Sequence, residues 1–85
     1  MRYEVLIEKR AQRALGKVVQ PHRDRIVSAI RGLSGDPRPP GVKKLSGREA
    51  WRIRVGSYRI LYEISDTELV VLVVAVGDRR DVYCG

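Results

Sequence analysis

The chain has 85 residues, a formal net charge of +7 and a sequence pI of 10.2, with 44% hydrophobic content. That length predicts one small domain, spanning 1–85, with a modest core. The charge predicts a polyanionic partner, nucleic acid first, although a merely soluble basic protein would carry the same total. The single cysteine, Cys84, excludes an intrachain disulfide and fits a reducing, cytoplasmic setting. No apolar run approaches membrane-spanning length and no signal-peptide segment is visible, so no membrane partner is expected.

Tyr3, Val5 and Ile7 alternate with Glu4, Leu6 and Glu8, which predicts an opening strand. From Lys9 the period changes, and Ala11, Leu15 and Val18 fall at helical spacing. Gln20-Pro21 breaks that helix and suits the first turn of a second one. Its stripe is Ile26, Ile30 and Leu33, and Ser34-Gly35 closes it. Residues 35–44 hold Gly35, Pro37, Pro39, Pro40 and Gly41 and end in Lys43-Lys44, a loop by composition.

Two alternating runs, Trp51 to Val55 and Tyr58 to Ile64, flank Gly56-Ser57. That pair reads as a two-residue hairpin turn, which sets Val55 opposite Tyr58, Arg54 opposite Arg59 and Ile53 opposite Ile60. After Ser65-Asp66-Thr67, Leu69 to Val76 are continuously apolar and read as a fully buried central strand ended by Gly77. The fold class is therefore α+β. A mostly antiparallel sheet of four to five strands packs on an N-terminal helical hairpin in the order β-α-α-β-β-β, any fifth strand being a short one at the C-terminus.

Alternation also assigns faces. Trp51, Ile53, Val55, Tyr58, Ile60, Tyr62 and Ile64 point toward the helices, while Arg52, Arg54, Arg59, Leu61 and Glu63 point to an open face. Like charges directly opposite destabilise a sheet, so arginines kept there predict an anionic ligand across that face. Charge is also segregated along the chain. Lys43, Lys44, Arg48, Arg52, Arg54 and Arg59 oppose only Glu49, whereas Glu63, Asp66, Glu68 and Asp78 follow with no basic residue before Arg79-Arg80.

No cluster has metal-ligand spacing, no glycine-rich phosphate loop is present and no cofactor is expected. His22 reads as a solvent-exposed helix residue and Cys84 as incidental. Arg52 and Arg54 taken singly read as an ordinary solvated strand face, and Arg79 and Arg80 as solubilising charges paired with Asp78 or Asp81. Trp51, Tyr58 and Tyr62 read as core, and Lys43 and Lys44 as backbone contacts for nucleic acid or simple loop charges. Together, however, arginine forks match phosphate oxygens, clustered arginines stabilise a phosphorane-like transition state, and an aromatic such as Tyr83 stacks a nucleobase.

Three stretches carry a resemblance: Lys44-Leu45-Ser46-Gly47, Trp51 through Ile64, and Val76-Gly77-Asp78-Arg79-Arg80-Asp81-Val82-Tyr83. In them the chain resembles the RelE/ParE superfamily of bacterial toxin–antitoxin toxins, and the last favours the RelE-like branch. That resemblance implies an endoribonuclease that enters the ribosomal A site and cuts mRNA by metal-independent 2′-hydroxyl attack. It implies that Arg59 stabilises the transition-state phosphate, Arg79 assists the leaving 5′-oxygen and Tyr83 stacks on the base. Arg52 and Arg54 stand where relatives often carry lysine. Arginine does not lose its proton, so Arg54 would lower the pKa of the 2′-hydroxyl electrostatically or hold the phosphate; Asp78 stands where relatives often carry histidine, and the proton acceptor is left open among Glu49, Glu63 and water. Lys43, Lys44, Arg48 and Arg80 complete the expected RNA-binding set. The implied partners are mRNA on the ribosome and an acidic, RelB-like antitoxin. The competing expectation is the ParE alternative, a non-enzymatic inhibitor of DNA gyrase.

Overall fold

The computed structural model describes residues 2–45 and 49–78. Its elements are β1 (Glu4–Ile7), α1 (Lys9–Gly16), α2 (His22–Gly32), β2 (Lys43–Lys44), β3 (Ala50–Val55), β4 (Tyr58–Ser65) and β5 (Val70–Asp78). The five strands form one sheet in the order β1-β5-β4-β3-β2. Only β1 and β5 run parallel; the other pairs are antiparallel. The architecture is the expected α+β one.

The predicted hairpin register holds: Val55 pairs with Tyr58, Arg54 with Arg59 and Ile53 with Ile60. Gly56 supplies the turn with φ +61°, while Ser57 keeps negative φ, the pattern of a type II′ turn that matches strand twist. The face toward the helices is apolar. Ile53, Ile60, Tyr62, Val71, Val73 and Val76 are buried there against Ala11, Val18, Ile26, Ile30 and Leu33. Each fully buried aliphatic side chain contributes about 1.5–3 kcal/mol. Helix α1 packs on β5 and α2 on β3.

Several expectations need correction. The fifth strand is β2, built from Lys43-Lys44 at the end of the proline loop, where composition alone indicated only loop. Leu69 does not begin the apolar strand; it occupies the preceding turn with φ 56°. Nor is β5 buried throughout or ended by Gly77, which lies inside it. Val71, Val73 and Val76 are buried, but Val70, Leu72, Val74 and Ala75 are only half-buried. The helices cover one face of the sheet, and an unbroken apolar run cannot reveal that. A register shift between Leu61 and Tyr62, opposite Val74, lets three buried valines keep the core side. Helix α2 stops at Gly32, earlier than Ser34-Gly35 indicates. No helix among the described residues is long and apolar enough to cross a membrane.

The proline loop is fixed by polar contacts. The Tyr62 hydroxyl, buried in the core, donates to the Pro37 carbonyl at 2.7 Å, and burial pushes its pKa up to about 12. Arg38 grips Asp66 with both terminal nitrogens, at 3.2 and 3.0 Å, and its guanidinium lies 4.8 Å from the Trp51 ring centroid. Tyr3 donates to the same carboxylate at 2.6 Å. These donors, Arg38 foremost, hold the Asp66 carboxyl below its ordinary value.

Two tests follow from this loop. Tyr62→Phe strands a buried carbonyl and should cost about 1–3 kcal/mol in urea denaturation. Because the Asp66 pKa is lowered in the folded state, its contribution is complete above the ordinary aspartate value of about 4 and is lost as pH falls below that. Asp66→Asn should therefore flatten the acid limb of the stability profile below about pH 4 and leave its shape near neutrality unchanged. An acid limb identical to that of the wild type would contradict this.

Candidate nucleic-acid interface

The open face of the sheet is organised in cross-strand rows. The first row, at the hairpin end, is Arg54, Arg59 and Gly77. The second is Lys43, Arg52, Leu61 and Ala75. The third is Ala50, Glu63, Leu72 and Leu6. The fourth is Ser65, Val70 and Glu4. Successive rows lie about 6.6 Å apart, two residues of strand rise. The face therefore runs from cationic at the hairpin to apolar and acidic at the far end.

Arg54 is exposed, but Arg59 is only 8% exposed, the one buried charged side chain among the described residues. A glycine on the β5 side leaves room for its long stem, since Gly77 presents no side chain beside it. Burying a guanidinium is costly unless its environment compensates. Arg59 is thus a positioned cation rather than a solvated surface arginine. Arg52, one row away, is half-buried and pairs with Lys43 of β2.

The rows divide the predicted RNA-binding residues. Lys43 faces Arg52 and joins the open face. Lys44 pairs with Trp51 instead, lies 5.8 Å from its ring and makes a 3.4 Å salt bridge to Glu49. It therefore stands on the other side of the sheet from Arg54 and Arg59. Arg48, Arg79, Arg80 and Tyr83 lie outside the described residues.

The three aromatic readings hold and the histidine reading does not. Tyr62 is core, and Trp51 and Tyr58 pack partly against it. His22 is half-buried rather than solvated: its ring centroid lies 5.7 Å from that of Tyr58, so it supports the turn end of the hairpin. Sequence reasoning missed Arg38, which joins Lys44 over Trp51. A lone arginine among prolines carries no periodic signal, and only the fold brings it to Trp51.

A groove of about 490 Å³ crosses the open face beside the arginines. Leu61, Ala50 and Ala75 line it together with Leu45 and Glu63, and Glu8, which precedes α1, and Arg10 of α1 close one side. The end of this groove beside the arginine row, at Gly77, Ala75 and Leu61, suits a chain carrying phosphates and flat bases, while Glu63 marks its acidic end.

Comparison with known proteins agrees with this geometry. A family model described as the ParE toxin of the type II toxin–antitoxin system parDE matches residues 5–83. A protein of Escherichia coli described as RelE-like toxin is 28% identical over 87 residues, which is 98% of this chain and 92% of the relative. The fold superimposes on the archaeal RelE–RelB complex from Pyrococcus horikoshii with a TM-score of 0.83 and 28% identity, covering 93% of this chain and 97% of that one. It superimposes on the RelBE2 toxin–antitoxin complex of Mycobacterium tuberculosis with a TM-score of 0.80 and 29% identity, covering 93% and 100%. With its cationic hairpin on this shared sheet, the chain belongs to the ParE toxin family of type II toxin–antitoxin systems and is a RelE-like toxin of the RelE/ParE superfamily.

Proposed function

We propose that the chain is an endoribonuclease that enters the ribosomal A site, cuts mRNA and so stops translation. The observation that carries this reading is the buried Arg59 facing Arg54 on the open sheet face. In the reaction a ribose 2′-hydroxyl attacks the adjacent phosphorus and loses its proton. The P–O5′ bond breaks, leaving a 2′,3′-cyclic phosphate and a free 5′-hydroxyl once the leaving oxygen takes up a proton. The phosphate gains negative charge in the transition state, and a fixed guanidinium stabilises that charge without reorganising. Arg59 fills this role and Arg54 shares it. Arg52 and Lys43 hold the flanking backbone, with Lys44, Arg48 and Arg80 as outer contacts. By resemblance, Arg79 assists the leaving oxygen and Tyr83 stacks the base. The positive charge that a metal supplies elsewhere comes here from guanidinium groups, so the reading requires none.

Row spacing narrows the proton acceptor. Glu63 lies four residues along β4 from Arg59, about 13 Å by strand rise, and Glu49 precedes the strand beside that same far end. A general base must come within about 3 Å of the proton it takes. With the phosphate seated on the first row, both glutamates lie beyond that reach by strand rise, which favours water over either of them as the acceptor, and Arg54 favours the alkoxide electrostatically.

The antitoxin partner belongs to this reading as well, because the Pyrococcus horikoshii and Mycobacterium tuberculosis structures it resembles are toxin–antitoxin complexes. A second reading, inhibition of DNA gyrase, has one observation in its favour: the matching family model is the ParE toxin. Mapping mRNA 5′ ends in a purified translation system separates the two. Discrete, ribosome-dependent cuts are expected, and Arg59→Ala with Arg79→Ala should remove them. Intact mRNA together with blocked gyrase supercoiling would reverse the assignment.

The cost of the arginine pair gives a second test. Arg54→Thr removes a like-charge confrontation and should raise stability by up to about 1 kcal/mol in urea denaturation. The same variant should lower RNA affinity and reduce the salt slope of binding by about one. A variant that is less stable and binds RNA normally would show that Arg54 serves the fold.

A further inference from the structure

No step of the cleavage proposed above uses the far half of the open face. Leu6 is 44% exposed, one of two large hydrophobic side chains so exposed among the described residues, and it pairs with half-buried Leu72. Val70 extends this apolar strip. Exposed Glu4, Glu63 and Glu68 surround it, and Glu63, Glu68, Val70 and Leu72 line one shallow depression together with Glu49. On a chain of net charge +7, such a patch repels nucleic acid and attracts a positively charged partner.

We propose that this half-face is a docking surface for the antitoxin, and that the antitoxin segment covering it is charge-polarised. That segment carries carboxylates over Arg52, Arg54 and Arg59, apolar side chains over Leu6 and Leu72, and basic residues over Glu4, Glu63 and Glu68. The proposal rests on the antitoxin partnership given above. A uniformly acidic segment is attracted to the first two rows and repelled by the last two, and like-charge juxtaposition selects strongly against such a partner. A polarised segment meets complementary charge along the whole face. It anchors itself on apolar side chains outside the phosphate site while its acidic end covers that site. A second copy of this chain is a poorer occupant, because each copy brings a further +7 charge to the pair.

The test uses the full chain and synthetic amphipathic peptides of about 14 residues, long enough to span the four rows as a helix. One peptide has an acidic half followed by a basic half, the second has the reverse order, and the third has the same apolar residues with carboxylates throughout. Both polarised orders are needed because the face does not set chain direction. By fluorescence anisotropy, one polarised peptide should bind about tenfold or more tighter than the uniformly acidic one. Leu6→Asp should weaken that binding, and the pair Glu63→Lys with Glu68→Lys should invert the preference. Equal or tighter binding of the acidic peptide, no binding by either polarised peptide, or a dimer in sedimentation whose formation depends on Leu6 would overturn the proposal. No RNA or ribosome enters this assay, so a failure to cleave mRNA leaves its outcome untouched.

Discussion

The structure depends on the pairing of β3 with β4, and that pairing is locked from the apolar side. Ile53 opposes Ile60 and Trp51 opposes Tyr62, with Ile60 and Tyr62 fully buried. A slip of one residue would turn these side chains to solvent and bring the arginines into the core. Each buried side chain contributes about 1.5–3 kcal/mol, whereas a cross-strand like-charge pair costs at most about 1 kcal/mol. Core burial therefore wins easily, and it forces Arg54 and Arg59 to face each other. The site is a consequence of the core.

From that pairing follows the polarity of the open face. β4 carries Arg59, Leu61 and Glu63 in sequence on one side, and β3 and β5 extend each position sideways. Gly77 beside Arg59 and the small Ala75 beside Leu61 leave room for a buried guanidinium and a shallow groove. Further along, Leu72 and Leu6 replace these small residues and the surface changes character. One strand thus carries a cationic end and an acidic end within four residues.

The hairpin was legible in the sequence because two independent signals agreed, strict alternation and a two-residue Gly56-Ser57 turn. Register, facing residues and the positions of Arg52, Arg54 and Arg59 all followed from them. What failed was information that only tertiary context holds. The apolar run of β5 resembles a strand covered on both faces, yet the helices lie on one. Lys43-Lys44 forms a strand only because β3 is there to pair with it, and its two side chains then part company. Arg38 reaches Trp51 and Asp66 across 13 and 28 positions of sequence, a distance no local pattern spans. Its place near a helix start predicts a solvated His22, but Tyr58 packs beside it.

The central claim is that buried Arg59 acts on the transition state rather than on RNA binding. The most direct measurement is the single-turnover cleavage rate of ribosome-bound mRNA by Arg59→Ala at saturating protein, alongside the affinity of the same variant for the programmed ribosome. The account predicts a rate constant lowered by about 100-fold or more with affinity changed only slightly. An unchanged rate constant with weakened affinity would contradict it and reduce the arginine pair to a binding surface.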